Sequence, residues 1–168
     1  MPALKPDLLE KLNQQIANEL HASHLYLAMS AHFEAADLPG MAKWMRIQAE
    51  EERAHAMRFY GHILERGGRV RLKAIREPTE SYESPAAIFQ DALDHEREVT
   101  QQIYDLYSAA QAAKDYALQV FLNFFITEQV EEERLAETVL EKVKRLGNEP
   151  TGLELLDREL GGRAGEKE

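Results

Sequence analysis

Cysteine is absent from the 168 residues. That excludes disulfides and thiolate metal ligands, so stability must come from packing or a bound ion, and any metal must be held by oxygen or imidazole. Long apolar runs are missing as well. No window approaches the eighteen residues of a membrane span, and the N-terminal MPALKPDLLEKLNQQ lacks the apolar core of a secretory signal. The expectation is a soluble, cytoplasmic protein with no membrane partner. Positive charge is in deficit: twenty Lys and Arg face thirty Asp and Glu, a formal net charge of −10. Such a surface disfavours phosphate backbones, so nucleic acid is not expected, and favours cations. Strand-like alternation is nearly absent, and the length suits one domain with one core.

What is present is helical periodicity. Apolar residues recur at helical spacing over four long segments, 7–36, 40–66, 84–112 and 115–146, and over a short one at 152–160. Pro39-Gly40 separates the first two segments and Gly67-Gly68 ends the second. Ser84-Pro85 supplies an N-cap followed by proline at the first helical position. Asp115 caps the fourth helix and Gly147 ends it. Thr151 with Glu154 three residues on predicts a capping box for the fifth. Only a few residues join the first pair of helices and the second pair, so each pair is an antiparallel hairpin. The link from Gly67 to Glu83 reaches roughly 55 Å when extended, against about 42 Å for a helix of about 28 residues. It therefore spans the whole bundle. The prediction is all-α: an up-down-down-up four-helix bundle with one long crossover and a short fifth helix, over residues 1–160, with a frayed tail at 161–168. VRLKAI within the link reads as a short extended piece lying on the bundle.

Each long helix turns one acid inward. At about 100° per residue, Leu8, Leu12, Glu19, Tyr26 and Ser30 share one line. So do Met41, Met45, Glu52, Ala56, Phe59 and Ile63, with His55 about 60° to the side. The third helix aligns Phe89, Ala92, Glu96, Thr100, Ile103 and Tyr107, and the fourth aligns Phe121, Phe125, Glu132, Ala136, Val139 and Val143. All four glutamates fall near the middle of their helices, so they meet at one level. Glutamate is almost never fully buried unless paired, and desolvating four carboxylates side by side costs several kcal/mol each without compensation. The stripes contain no Lys or Arg. Two divalent cations balance the four charges, with Glu52-x-x-His55 gripping one ion from a single helix face. Oxygen-rich ligation with one imidazole suits iron or manganese.

His21, His24, His32, His62 and His95 lack an inward acid at ligand spacing and read as solvated or satisfied side chains. Tyr26 stands two turns from Glu19 on the same face and is either a core tyrosine with a satisfied hydroxyl or a group that hydrogen-bonds a ligand carboxylate or donates an electron. Glu51, Glu128 and Glu131 flank the four central acids, either as a third ion site or as a wet charged face.

NELHASHLYLAMS, AEEERAH, HERE and TEQVEEE, in this order and spacing, resemble the haem-free bacterial and archaeal ferritins over about residues 4–160. The resemblance implies one iron held by Glu19, Glu52 and His55, and a second held by Glu96, Glu132 and the bridging Glu52, with Gln129 beside the pair. A third site corresponds to Glu51, Glu128 and Glu131, with Glu132 shared, and Tyr26 matches a tyrosine that contacts the centre. Three departures carry meaning. The fourth helix has EQVEEE where relatives with fixed di-iron centres carry a second E-x-x-H, which favours passing iron onward. Arg53 stands where haem-binding relatives place a methionine, so no haem is expected. Phe124 replaces a tryptophan.

The function implied is ferroxidase and iron storage. Fe(II) is oxidised by O₂ or peroxide, and hydrated ferric oxide is kept inside a shell of 24 subunits whose fourfold axes gather the fifth helix. Two rival functions are a manganese or iron peroxidase or catalase with a fixed dinuclear centre, and a helical scaffold that binds divalent ions without redox work.

Overall fold

The computed structural model describes residues 3–79 and 81–165. The fold is all-helical: α1 Pro6–Ala35, α2 Pro39–Glu65, α3 Pro85–Ala112, α4 Tyr116–Leu146 and α5 Pro150–Gly161. α1 packs on α2 and α3 on α4, α1 also meets α3, and α5 lies against α2 and α4. No described helix is long and apolar enough to cross a membrane.

Four of the six prolines open helices, at Pro6, Pro39, Pro85 and Pro150. Proline at the first helical position gives up an N–H that would have no partner there and presets φ for the turn. Pro39 therefore starts α2 rather than merely breaking α1. The same effect overturns the capping box expected at Thr151 and Glu154: α5 begins at Pro150, Glu149 occupies the N-cap without a side-chain cap, and Thr151 is already inside the helix. The other caps follow expectation. Ser84 accepts the amide of Ala87, and Asp115 accepts that of Leu118. Asp115 also takes a two-pronged ion pair from Arg66, at 3.1 and 3.0 Å, which ties the end of α2 to the start of α4.

α1, α2 and α3 end alike. Leu38 N–H reaches Phe33 O at 2.9 Å, Gly68 reaches Ile63 at 2.8 Å, and Asp115 reaches Ala110 at 2.9 Å. In each the preceding residue is left-handed: Asp37 at φ 57, Gly67 at φ 69 and Lys114 at φ 56. This is the Schellman closure, and only one of the three positions carries glycine.

The crossover contains no regular secondary structure in its described residues. It lies along α1, where Asn13 clasps it through Arg69 O (3.2 Å) and Arg71 N (2.7 Å). Lys73 pairs with Glu10, and Arg76 reaches His21. At the tail, Arg163 returns to α2, while residues 166–168 of the expected frayed segment lie outside the described residues.

Two separate apolar clusters fill the bundle. One gathers Phe33, Met41, Trp44, Phe89 and Leu156 at the α5 end, and the other gathers Leu12, Phe59, Ile63, Ile103 and Phe125. Thr100, Tyr107 and Phe121 of the predicted stripes are only partly buried.

Candidate metal centre

Polar side chains from all four long helices come together within the bundle. Glu19, Glu52 and Glu96 are each 1% exposed and Glu132 is 8% exposed. One ligand atom each from Glu19, Glu52 and His55 lies within 4.8 Å of the others; no other acidic or imidazole trio among the described residues is so close. Within the E-x-x-H turn, His55 Nδ1 is 3.6 Å from Glu52 Oε2. His55 is the only imidazole in the trio, and its ring is wedged edge-on between Phe124 and Phe125.

Amides and a phenol orient the carboxylates. Gln15 donates to Glu19 Oε1 at 2.9 Å and Gln48 to Glu132 Oε2 at 2.9 Å. Gln129 donates to Glu96 through its carboxylate (3.2 Å) and its backbone oxygen (3.1 Å), and Tyr26 OH donates to Glu96 Oε1. Both oxygens of Glu52 and Oε2 of Glu19 are buried with no hydrogen-bond partner. Such orphans are costly, and buried carboxyl oxygens converging with an imidazole match the donor set of a hard or borderline divalent cation.

The electrostatics agree. Burial, then the charge of Glu52, raises Glu19 from the ordinary 4.5 to about 8. Burial, then Glu96, raises Glu132 to about 7. Glu52 is held well above the usual range by burial and by Glu96 and Glu132, and burial also raises Glu96. Burial and the neighbouring Glu96 keep Tyr26 protonated, as its donation requires. The metal-free cluster thus retains protons that a cation would displace.

Of the sequence-predicted residues, Glu19, Glu52 and His55 are assembled most tightly. Glu96 and Glu132 are buried in the same field, each held by its own amide. Gln129 meets the cluster through its amide nitrogen, supporting Glu96. Glu51, Glu128 and Glu131 do not form a comparable trio. Glu51 pairs with Arg163 at 2.8 Å, Arg163 lies over Trp44, and Glu131 pairs with Arg134 at 2.6 Å. Gln15 and Gln48 were missed by sequence reasoning, although each stands four residues before a central glutamate on the same helix face. A cavity of about 720 Å³ reaches His55 past Glu50, Glu51 and Phe124, with Arg53 and Gly165 on its wall.

His21 and His62 are buried, as is His95, which burial lowers to about 4 and so keeps neutral. His62 stacks on Phe121 at 4.0 Å. None of the three joins the central cluster.

The ferritin-like domain family matches residues 9–146. The "Bacterial non-heme ferritin" of Staphylococcus aureus is 39% identical over 165 residues, 98% of this chain and 99% of that protein. The protein of that description from Staphylococcus haemolyticus is 40% identical over the same shares. Among solved structures, the open-pore ferritin of the hyperthermophilic archaeon Archaeoglobus fulgidus superposes with a TM-score of 0.96 at 40% identity, covering 98% of this chain and all of that one. With the bundle, the crossover and the buried carboxylate cluster in place, the chain belongs to the ferritin family, among its non-haem bacterial members.

Proposed function

We propose that this ferritin oxidises Fe(II) at the buried cluster and stores the product as hydrated ferric oxide inside a homo-oligomeric shell of 24 subunits, in the cytoplasm. The observation that carries the reading is the set of orphaned, buried oxygens of Glu19 and Glu52 converging with His55. Glu19, Glu52 and His55 hold one iron. Glu96 and Glu132 hold the second, with Glu52 between the two.

Iron here is substrate, not a resident cofactor. As two Fe(II) ions bind, the cluster's retained protons leave. Each iron then gives up one electron, and the pair reduces O₂ to hydrogen peroxide with two protons, or one peroxide to two waters. The carboxylates stabilise the growing charge of Fe(III). Tyr26, Gln129, Gln48 and Gln15 hold their partners in place so that little reorganisation is needed. With one imidazole and no histidine from α4, the second iron is bound by oxygen alone, which supports onward passage of iron over a fixed dinuclear centre.

Glu51, Glu128 and Glu131 form the third ion site. Arg163 and Arg134 neutralise two of its acids and must swing aside when it fills.

Stopped-flow oxidation tests the assignment, first at two Fe(II) per subunit and then at many. Glu52→Ala removes a ligand from both ions and abolishes the fast phase while the bundle still folds. Glu128→Ala with Glu131→Ala keeps the first burst and alters later turnover and the iron-to-oxygen ratio. Retention of a full burst in Glu52→Ala would refute the central assignment, and loss of it in the double variant would refute a separable third site.

A further inference from the structure

A second cluster of metal-ligating side chains lies on a different face of α3. Asp91, Asp94, His95 and Glu98 follow the i, i+3, i+4, i+7 spacing of one helix face, about 100° round from Glu96. With His21 and Leu25 of α1 and Arg76, Glu77, Pro78 and Thr79 of the crossover they line a cavity of about 360 Å³. The His95 side chain, 7% exposed, lines this cavity, and its Nε2 is buried without a hydrogen-bond partner. A buried imidazole nitrogen with no partner, in a cavity lined by three carboxylates of its own helix face, is an incomplete coordination shell.

The two ring centres stand near the spacing of imidazoles that share an ion, although no three donor atoms of this group lie within 4.8 Å of one another, so side chains must close in as the ion binds. With about 2.1 Å from metal to nitrogen and about 1.1 Å from nitrogen to ring centre, two imidazoles on one metal stand roughly 5–6 Å apart, centre to centre. His21 and His95 are 6.0 Å apart and edge-on, at 74°. His21 already points its ring at a cation. Its Nε2 accepts from Arg76 Nε at 3.0 Å, and its Nδ1 faces Arg76 O at 3.3 Å. Arg76 is held loosely: its side chain is 69% exposed, and its Nη2 is 3.9 Å from Glu98. The acids have polar neighbours of their own. Tyr82 OH donates to Asp91 at 2.7 Å, Gln90 to Asp94 at 3.1 Å and Gln102 to Glu98 at 3.3 Å, and Arg97 stands 3.7 Å from Asp94. Four carboxylates, those of Asp91, Asp94, Glu98 and the crossover's Glu77, line the cavity against the single guanidinium of Arg76, so acids outnumber bases on its wall.

We propose that this cavity is a second divalent-metal site, for a borderline cation such as Zn(II), Co(II) or Fe(II). His95 Nε2 and His21 Nε2 are its nitrogen ligands, and Asp91, Asp94 and Glu98 supply oxygen and charge. Arg76 is the internal cation that gives way when the metal enters. Mixed imidazole and carboxylate donors suit these ions, and nothing in the proposal depends on the central cluster oxidising iron.

The test is equilibrium dialysis of the metal-free full-length protein against Zn(II), with zinc anomalous diffraction from crystals of the same preparation. The expected map shows a peak about 2.1 Å from His95 Nε2, apart from any at Glu19, Glu52 and His55. His21→Ala with His95→Ala lowers the count by one zinc per subunit and leaves the central zinc in place. Arg76→Gln keeps every ligand but removes the competing charge, so zinc binds about tenfold more tightly at this site. Should the histidine variant fail to fold, Asp91→Asn with Glu98→Gln weakens the same zinc about tenfold. The proposal is overturned by anomalous density confined to the central cluster, by an unchanged zinc count in the histidine variant, by unchanged or weaker binding in Arg76→Gln, or by undiminished affinity in the acid-to-amide variant.

Discussion

At the residue scale the glutamate cluster makes stability depend on pH in an unusual direction. Glu19 titrates at about 8 and Glu132 at about 7, against an ordinary 4.5, and Glu52 and Glu96 are raised as well. Between these limits the native state binds more protons than the unfolded chain, so stability falls as pH rises. The cluster's favourable contribution is complete below about pH 4.5 and is lost as pH climbs through about 7 and 8. Divalent ions replace those protons and flatten the slope. Calorimetric melting of metal-free protein should show Tm falling from mildly acidic to mildly basic buffer, with a much smaller fall in the presence of Zn(II). Parallel curves would mean that the carboxylates do not share a desolvated site. The four glutamates and His55 were legible because charged residues on apolar stripes violate the ordinary pattern. Gln15 and Gln48 were not, since a neutral amide on a buried face raises no such conflict, and the bond from Gln48 runs to Glu132 on another helix.

At the element scale, α5 docks on α2 through a contact that admits no side chain. A Cβ on Gly40 would sit 1.8 Å from the backbone oxygen of Asp157. Asp157 in turn accepts the amides of Gly40 (3.1 Å) and Met41 (2.7 Å), acting as a cap borrowed from another helix. Gly40→Ala must push α5 off this seat, at a cost of about 1–3 kcal/mol. Limited proteolysis should then cut around residues 150–165 far faster than in the parent, whereas unchanged cleavage would show that α5 is held by other contacts. The α3–α4 turn offers the opposite test. Lys114 bears the left-handed strain that Gly67 avoids at the end of α2. Lys114→Gly relieves about 1–2 kcal/mol of it against about 0.5–1 kcal/mol of added unfolded-chain entropy. A small rise in the urea midpoint is expected, and a fall would mean that the lysine side chain contributes more than its backbone costs. Helix positions were readable from periodicity, proline and Ser84. The start of α5 was misread because Thr151 and Glu154 imitate a capping box while the preceding Pro150 sets the first turn. The non-glycine closures at Asp37 and Lys114 have no sequence signal of comparable strength.

For the whole molecule, the link length set the topology: a crossover long enough to run the length of the bundle needs no secondary structure of its own, and it is fastened to α1 by Asn13, Glu10 and His21. The monomer leaves large apolar side chains in solvent on several elements, among them Leu72 of the crossover, Val120 and Val130 of α4 and Leu155 of α5. That surface supports burial between subunits, but the symmetry of the contacts is not written in one chain's periodicity. Storage and assembly meet in one measurement: the mass and iron content of the particle after aerobic loading with Fe(II). Sedimentation with iron analysis should find a hollow assembly near half a megadalton, as 24 chains of 19.2 kDa require, carrying hundreds of ferric ions that co-sediment with protein. Iron saturating at the two or three ions per subunit of the proposed sites, on a particle of any size, would contradict storage and leave only a metal-binding bundle.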